Sequence, residues 1–217
     1  MKQFVVIGLG RFGSNLARSL YKMKNQVLAI DQDRHNIENI KDFVTEAIVA
    51  DAKNMRVLDE FIDTAIDTVI LATGSDIETS VLCTLYLRNM GVKNIIAKAK
   101  NDDHGKILTA LGVTEVIYPE RDIAQRLAER LSMNNLIAHL PLAAEYSILE
   151  IATPENFVGK SMMELDIRKK YGINIIGIKD NTTGETQVLL EGTSVFPPDS
   201  IMMFICRTDQ ITNLPFK

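Results

Sequence analysis

The sequence has few cysteines and no long apolar run, and each shortage excludes a class of protein. The longest uncharged stretch, residues 131–144, has fourteen residues and includes a proline, whereas a membrane-spanning helix needs about 20 mostly apolar residues. The apolar run after Phe4 is too short for a secretory signal and ends at Arg11 without a cleavage site. Cys83 and Cys206 lie in apolar segments without metal-ligand or CxxC spacing. We therefore expect a cytosolic protein with reduced, buried thiols.

Basic residues are not in excess either. The chain has 24 Lys and Arg against 28 Asp and Glu, a net charge of −4, and no basic run. Nucleic-acid binding through phosphate neutralisation is therefore not expected. Apolar residues make up 46% and charged residues 24% of the 217 positions, which is the balance of a folded protein with one or two domains.

The first 120 residues alternate short apolar runs with amphipathic stretches. The runs lie at residues 4–7, 27–30, 47–49, 68–72, 94–97 and 115–118. Most are continuous, as in strands that are buried on both faces. Helical patterns begin near Arg11, Ile77 and Asp102, and the last two end at Gly91 and Gly112. Repeated strand–helix units predict an α/β fold with a Rossmann-like parallel sheet.

The pattern changes after a further helical stretch at residues 122–131. Short apolar segments at residues 146–151, 173–178, 187–190 and 201–206, with a short helix near 161–171, are separated by turns. These features predict a small α+β domain at residues 142–217. We assign residues 1–134 to the N-terminal nucleotide-binding domain and residues 135–141 to a connector.

A glycine-rich loop, GLGRFG at residues 8–13, directly follows the first predicted strand and opens a helix. In such a loop Gly8 allows a tight turn, Gly10 lets backbone N–H groups approach a phosphate, and Gly13 lets the helix pack on the sheet. Asp31 ends the second predicted strand, eighteen residues after Gly13. Its carboxylate suits ribose hydroxyls and would repel a 2′-phosphate. The alternative is a glycine turn that binds no ligand.

Arg11 and Phe12 lie within this loop. A cation in the first turn of a helix opposes the macrodipole, so Arg11 favours a ligand with extra terminal negative charge, such as ADP or ATP. A solvated arginine is the alternative. Further candidate nucleotide contacts follow the later predicted strands: Asp51, Ala52, Thr73, Gly74, Lys98 and Glu120. Glu120 suits a divalent cation between phosphates, and it equally suits a first-turn acid stabilised by the helix dipole.

An enzymatic function has little support in the sequence. A hydride-transfer enzyme needs an acid or base near the nicotinamide, and His35, His104 and His139 are the only histidines. We interpret all three as surface or structural residues, and no Tyr-x-x-x-Lys pair occurs. A small NAD-dependent oxidoreductase remains the first alternative. A redox-sensing transcription factor is the second, but it would need a basic helix-turn-helix.

Several segments carry a family resemblance that spans the whole chain. They are GLGRFG at 8–13, AID at 29–31, ADA at 50–52, ATG at 72–74, IAKA at 96–99, LGV at 111–113, VIYPE at 116–120, GKS at 159–161, LDIR at 165–168 and YGIN at 171–174. In this order and within this length, the chain resembles the Ktr/Trk-type cytosolic regulators of potassium uptake. These proteins are built from RCK domains, the regulators of conductance of potassium.

The resemblance implies a regulatory subunit without enzymatic activity. It implies a dimer that assembles into a homo-octameric ring on a membrane-embedded potassium channel or transporter subunit, at the cytoplasmic face of the membrane. It also implies competition between ATP and ADP for the Rossmann site, with NAD or NADH in some relatives. Arg11 would contact the terminal phosphates, Asp31 the ribose, and Glu120 a Mg²⁺ or Ca²⁺ ion bound with ATP.

The resemblance extends to a second ligand in some bacterial relatives. There the C-terminal domain binds cyclic di-AMP between two subunits. The matching residues here are Arg168, Ile173, Asn174, Ile175 and Pro198. Ordinary dimer packing is the alternative for this segment.

Overall fold

The computed structural model describes residues 1–74, 76–132, 135–143 and 145–214. The chain forms two compact units, residues 1–121 and residues 122–217. The first unit holds a six-stranded sheet and the second a five-stranded sheet, which confirms the predicted fold class. None of the helices in the described ranges has both the length and the hydropathy needed to cross a bilayer.

The first unit is a wholly parallel sheet with strand order β3-β2-β1-β4-β5-β6. The strands are β1 (Gln3–Ile7), β2 (Gln26–Asp31), β3 (Glu46–Val49), β4 (Thr68–Leu71), β5 (Ile95–Lys98) and β6 (Glu115–Ile117). The helices are α1 (Arg11–Lys22), α2 (Arg34–Ile40), α3 (Met55–Phe61), α4 (Ile77–Asn89) and α5 (Asp102–Ala110), and α6 (Pro119–Ser132) runs from the first unit into the second. The chain runs outward from β1 in one direction and from β4 in the other, so the strand order reverses between these two strands. Ligands bind at such a reversal, beyond the carboxyl ends of the strands.

Both faces of this sheet are buried, which explains the continuous apolar runs. Val5 and Ile7 point to a core that includes Leu71, whereas Val6 packs on the opposite face in a cluster with Ile70. Successive side chains of a strand point to opposite faces, so a strand covered on both sides has no polar alternation.

The ends of the helices follow the local sequence. Asp76 caps α4 by accepting a hydrogen bond from the Thr79 N–H at 3.1 Å. Gly91 and Gly112, which follow α4 and α5, have φ values of +84° and +92°. Glycine adopts this left-handed conformation without a steric penalty, and both predicted helix ends are confirmed.

The second unit is an antiparallel sheet with strand order β10-β9-β11-β8-β7. Its strands are β7 (Leu136–Pro141), β8 (Tyr146–Ala152), β9 (Asn174–Asp180), β10 (Thr186–Gln187) and β11 (Ser200–Arg207), and its helices are α7 (Met162–Leu165) and α8 (Ile167–Tyr171). A separate core of aliphatic and aromatic side chains covers this sheet and contains Phe157, Phe196 and Phe204.

Three details of the second unit differ from the sequence prediction. The segment that we assigned to a connector contains β7, which pairs with β8. The helix predicted near residues 161–171 is interrupted at Asp166, whose φ is +44°. In place of the strand predicted at 187–190 the structure has the two-residue β10, which shares only Gln187 with that prediction. The domain limits proposed from the sequence, at residues 134 and 142, stay a prediction.

Candidate functional site

A cavity of about 330 Å³ lies at the carboxyl ends of β1, β2 and β4. Six of the residues predicted to contact a nucleotide line it: Gly8, Gly10, Asp31, Asp51, Ala52 and Thr73. The cavity therefore lies where the strand order reverses, as expected for a ligand site in an open α/β sheet.

The three loop glycines have different physical reasons for being glycine. Gly8 has a φ of +91°, and a Cβ atom there would lie 2.7 Å from the Thr73 Cγ2 atom. A Cβ atom at Gly13 would lie 1.9 Å from the Gly8 carbonyl oxygen. A Cβ atom at Gly10 would meet nothing within 4 Å. Packing therefore requires Gly8 and Gly13, whereas the space above Gly10 is open to a ligand.

The beginning of α1 has anion-binding features. Gly10 is the N-cap residue and provides no side-chain hydrogen bond, and the first turn contains no acidic residue. The free N–H groups and the positive end of the helix dipole are therefore available to an anion. Arg11 is exposed, and within the described residues its side chain makes no hydrogen bond or ion pair. The only charge in this turn is thus a cation.

Asp31 already has partners within the protein. Its carboxylate accepts hydrogen bonds from the Leu9 N–H at 2.5 Å, the Asp33 N–H at 2.8 Å and the Asn36 side-chain amide at 3.3 Å. A carboxylate has about four acceptor positions. Asp31 therefore holds the glycine loop in place and keeps capacity for a ribose hydroxyl at the cavity wall.

The cavity wall contains several acidic side chains. Asp33, Asp51 and Asp76 line it together with Asp31. Hydrogen bonds from the Thr79 hydroxyl and N–H lower the pKa of Asp76, so this carboxylate is ionised near neutral pH. Four carboxylates suit a ligand that presents hydroxyl or amino donors and repel phosphates. The phosphates of a nucleotide would therefore lie toward Gly10 and Arg11.

Thr73 adds an uncommitted polar atom to this wall. Its hydroxyl oxygen is buried and, within the described residues, has no hydrogen-bond partner. An unpaired buried hydroxyl is unfavourable by roughly 1–3 kcal/mol. Thr73 itself lines the cavity, so a ligand there could satisfy this oxygen only if the side chain rotated toward it, and its role as a ligand contact stays a prediction.

Lys98 and Glu120 form an ion pair beside the loop. Lys98 ends β5, and its Nζ atom donates to the Glu120 Oε1 atom at the beginning of α6. The lysine stem packs closely on Gly74, since a Cβ atom there would lie 2.9 Å from the Lys98 Cγ atom. The ammonium lies 5.9 Å from the centre of the Phe12 ring. The hydrogen bond from Lys98 and the backbone N–H of Glu120 lower the pKa of this carboxylate.

A divalent cation at Glu120 would need ligands from elsewhere. The described residues contain no group of three or more His, Cys, Asp or Glu side chains that could hold a metal ion. Among the described residues Glu120 is therefore a lone carboxylate in this respect, and its side chain is mostly exposed. Such a site fits a cation only if phosphates, water or a second subunit complete the coordination. The metal site at Glu120 stays a prediction.

The histidines do not line the cavity. His104 is buried, its Nδ1 atom accepts the Lys100 N–H at 3.1 Å, and its Nε2 atom lies 2.7 Å from the Ser80 hydroxyl. Burial lowers the pKa of His104, so the neutral ring is a structural link between α4 and α5. His35 is exposed on α2, and His139 on β7 bonds to the Ser147 hydroxyl at 3.0 Å.

Both cysteines are buried free thiols, as expected from the sequence. The side chain of Cys83 donates to the Ala52 carbonyl at 3.2 Å. Burial raises the pKa of Cys83 to about 12 and that of Cys206 to about 11. Since the thiolate is the reactive form, neither thiol is a nucleophile at neutral pH.

The residues predicted to contact cyclic di-AMP lie in the second unit at different depths. Arg168, Asn174 and Pro198 are exposed, and Ile175 is half-buried. Ile173 is fully buried in the core. This ligand stays a prediction.

Similarity to known proteins points to potassium uptake systems. The TrkA-N domain family matches residues 4–119. The "Ktr system potassium uptake protein C" of Bacillus subtilis is 39% identical over 211 residues, which cover 97% of this chain and 95% of the relative. The "Ktr system potassium uptake protein A" of the same organism is 36% identical over 178 residues, which cover 82% and 80%.

Solved structures share the architecture. The crystal structure of the GsuK RCK domain aligns with a TM-score of 0.65 at 19% identity, covering 97% of this chain and 46% of that one. The GsuK channel bound to NAD aligns with a TM-score of 0.66 at 19% identity, covering 97% and 38%. At this identity the alignment establishes a common fold, with the Rossmann-like sheet followed by the smaller antiparallel sheet.

Proposed function

The chain belongs to the family of Ktr system potassium uptake proteins and carries a TrkA-N domain, and on this premise we propose that it is a nucleotide-sensing regulatory subunit. It gates a membrane-embedded potassium channel or transporter subunit from the cytoplasmic face of the membrane. The observation that carries this proposal is the cavity at the carboxyl ends of β1, β2 and β4. It combines an open glycine loop with acidic residues suited to ribose.

The ligand of this cavity is an adenine nucleotide, with ATP and ADP as the competing forms. The ribose binds at Asp31, the adenine lies beside Asp51 and Ala52, and the phosphates lie over Gly10 at the beginning of α1. Arg11 contacts the terminal phosphate, because it is the charge nearest this end that has no partner within the described residues. NAD or NADH is a further ligand of the same site, and a related fold has been solved with NAD.

Regulation follows from a shift between two conformations of an assembled ring. A ligand can bias such an equilibrium only by the difference in its affinity for the two states. ATP and ADP differ in the γ-phosphate alone, so the groups that distinguish them must lie at the phosphate end. Arg11 and a Mg²⁺ or Ca²⁺ ion at Glu120 are these groups. The dimer and the ring of eight use exposed apolar side chains such as Leu85 and Ile107, which are 42% and 46% exposed.

We propose that the protein regulates transport and does not catalyse hydride transfer. In the described part of the cavity wall the acidic side chains are the only titratable groups, without the histidine, lysine or tyrosine that the oxidoreductase alternative was expected to use, and His104 is held in the core. A small NAD-dependent oxidoreductase is the alternative. It would be favoured if bound NADH were oxidised in the presence of a small carbonyl substrate.

Calorimetry with ATP, ADP, NADH and cyclic di-AMP, each with and without Mg²⁺, tests the nucleotide site. We expect ATP and ADP to bind competitively, and Mg²⁺ to strengthen ATP binding more than ADP binding. Potassium uptake by cells that carry the cognate membrane subunit should then depend on the ATP to ADP ratio. Absence of binding by all adenine nucleotides would contradict the proposal.

Light scattering tests the assembly. The chain has a mass of 24.2 kDa, and we expect a dimer or a larger ring at micromolar concentration. A monomer at this mass would contradict the proposed gating mechanism, because a ring needs contacts between copies.

A further inference from the structure

Lys98 has a single charged partner within the described residues, and that partner is Glu120. The two side chains differ in exposure, since the side chain of Lys98 is 18% exposed and that of Glu120 is 73% exposed. The lysine is thus held between neighbouring strand ends, whereas the carboxylate faces water. If this pair were broken, water would hydrate the exposed carboxylate, whereas the mostly buried ammonium would have no negatively charged partner.

A new partner would be close by if a nucleotide were bound. The lysine stem lies against Gly74, which follows the cavity residue Thr73, and the ammonium lies 5.9 Å from the Phe12 ring in the glycine loop. Lysine has a flexible four-carbon stem and a compact charge. The ammonium can therefore reorient toward the phosphate end of the cavity without a change in the backbone.

The two acceptors compete unequally for the ammonium. An exposed carboxylate interacts weakly with lysine, because water and salt screen the pair. A di- or triphosphate carries more negative charge than a single carboxylate, so its charge-assisted bond to the ammonium is stronger. The lysine should therefore leave Glu120 when a nucleotide enters.

We propose that Lys98 exchanges partners: it neutralises Glu120 in the nucleotide-free protein and turns to the nucleotide phosphates on binding, which releases the Glu120 carboxylate. This inference rests on the proposed function and specifies how its site is regulated. It orders the events at the site. Glu120 becomes available as a ligand for a divalent cation only after the phosphates have drawn Lys98 away.

The inference predicts opposite effects of two charge-removing substitutions on ADP binding. We would measure ADP affinity by calorimetry in EDTA for the full chain and for the variants Glu120→Gln, Lys98→Met and the double variant. Glu120→Gln should tighten ADP binding about two- to fivefold, since no ion pair has to be broken. Lys98→Met should weaken binding about tenfold or more, because a charge-assisted contact to phosphate is lost.

The double variant distinguishes exchange from simple repulsion between Glu120 and the phosphates. If Lys98 exchanges partners, Glu120→Gln should have no effect on ADP affinity in the Lys98→Met background, so the two substitutions are not additive. Equal tightening in both backgrounds would overturn the inference. An unchanged ADP affinity in the Glu120→Gln variant would overturn it as well.

Matched controls use a second ion pair and a second ligand. Asp103 and Lys106 on α5 pair at 2.9 Å with both side chains mostly exposed, so Asp103→Asn and Lys106→Met change the same charges away from the cavity and should leave ADP affinity unchanged. Adenosine has no phosphate and should bind all variants equally, which also reports that each variant is folded. If the unsubstituted protein bound neither adenosine nor ADP, the nucleotide site itself would be refuted. Adenosine and ADP binding without the exchange pattern would refute the exchange alone.

Discussion

Alanine substitutions at Gly10 and Gly13 should separate nucleotide binding from folding. The two glycines belong to the same loop, but their surroundings differ. A Cβ atom at Gly10 would meet nothing within 4 Å, whereas one at Gly13 would lie 1.9 Å from the Gly8 carbonyl oxygen and 3.0 Å from the Ala72 Cβ atom. The first substitution should therefore impair binding and the second should impair stability.

For Gly10→Ala the stability terms nearly cancel. The residue has φ −62° and ψ −173°, which alanine adopts without strain. Alanine restricts the unfolded chain and so stabilises by about 0.4–1 kcal/mol, but it is a poorer N-cap residue than glycine by a similar amount. The free energy of unfolding should change by less than about 0.5 kcal/mol. ADP affinity should fall about tenfold or more, since the methyl group occupies the space where a phosphate would approach the backbone N–H groups.

For Gly13→Ala the steric term dominates. Forcing a methyl group into a packed site costs about 1–3 kcal/mol, and the Gly8 backbone atom cannot move aside as a side chain could. The higher helix propensity of alanine offsets at most about 1 kcal/mol of this destabilisation. A net destabilisation of about 2 kcal/mol would lower Tm by about 4–8 °C for a chain of this size.

Thermal unfolding followed by circular dichroism, together with ADP calorimetry, checks both expectations. The two variants have identical chemistry and act as controls for each other. If Gly10→Ala bound ADP as the unsubstituted protein does, the phosphates could not lie over this residue. If Gly13→Ala kept the original Tm, the close contact between the loop and α1 would not be a source of stability.

Three further substitutions test individual side chains. Asp31→Ala should weaken the binding of ATP, ADP and NADH alike by about 1.5–3 kcal/mol, because all three contain the adenosine ribose. Unchanged affinities in calorimetry would show that the ribose does not bind at Asp31. Arg11→Ala should weaken ATP binding by about 1–3 kcal/mol and ADP binding by less. As a control, Lys22→Ala at the other end of α1 should affect the binding of neither nucleotide. Equal losses for the two nucleotides would exclude Arg11 as the γ-phosphate sensor. Burial lowers the pKa of His104 below its usual 6.5, so the unfolded chain takes up this proton first on acidification. The free energy of unfolding should therefore fall from pH 7.5 to 5.5 by up to about 1.4 kcal/mol per pH unit. The free energy of unfolding of His104→Gln, measured by urea titration, should lack this part of the pH dependence. The same dependence on pH in the variant and the unsubstituted protein would contradict the assignment of this effect to His104.

The sequence predicts the first unit well because its signals are local. Strands that are buried on both faces have continuous apolar runs, and Gly91 and Gly112 mark helix ends through their own backbone conformations. The same local rules place Gly8 and Gly10 at the cavity wall. Each of these features depends on residues that are close together in the chain.

The sequence predicts the second unit less well because its signals are weak or non-local. In β7 only Leu136 is buried, whereas Ile137 and Leu140 are 43% and 60% exposed, so the strand shows no clear alternation. Its position depends on pairing with β8. The break at Asp166 depends on a left-handed φ of +44°, which an aspartate adopts less often than a glycine.

The contacts that matter most for the mechanism could not be found from motifs alone. Asp31 and Leu9 are 22 residues apart, and so are Lys98 and Glu120. In both cases a carboxylate that the sequence assigns to a ligand already has a partner within the protein. Ligand binding then replaces or extends existing contacts, so an affinity measures a difference between two sets of bonds. A single substitution changes both sets, and only the comparison of single and double variants with adenosine and ADP can separate them.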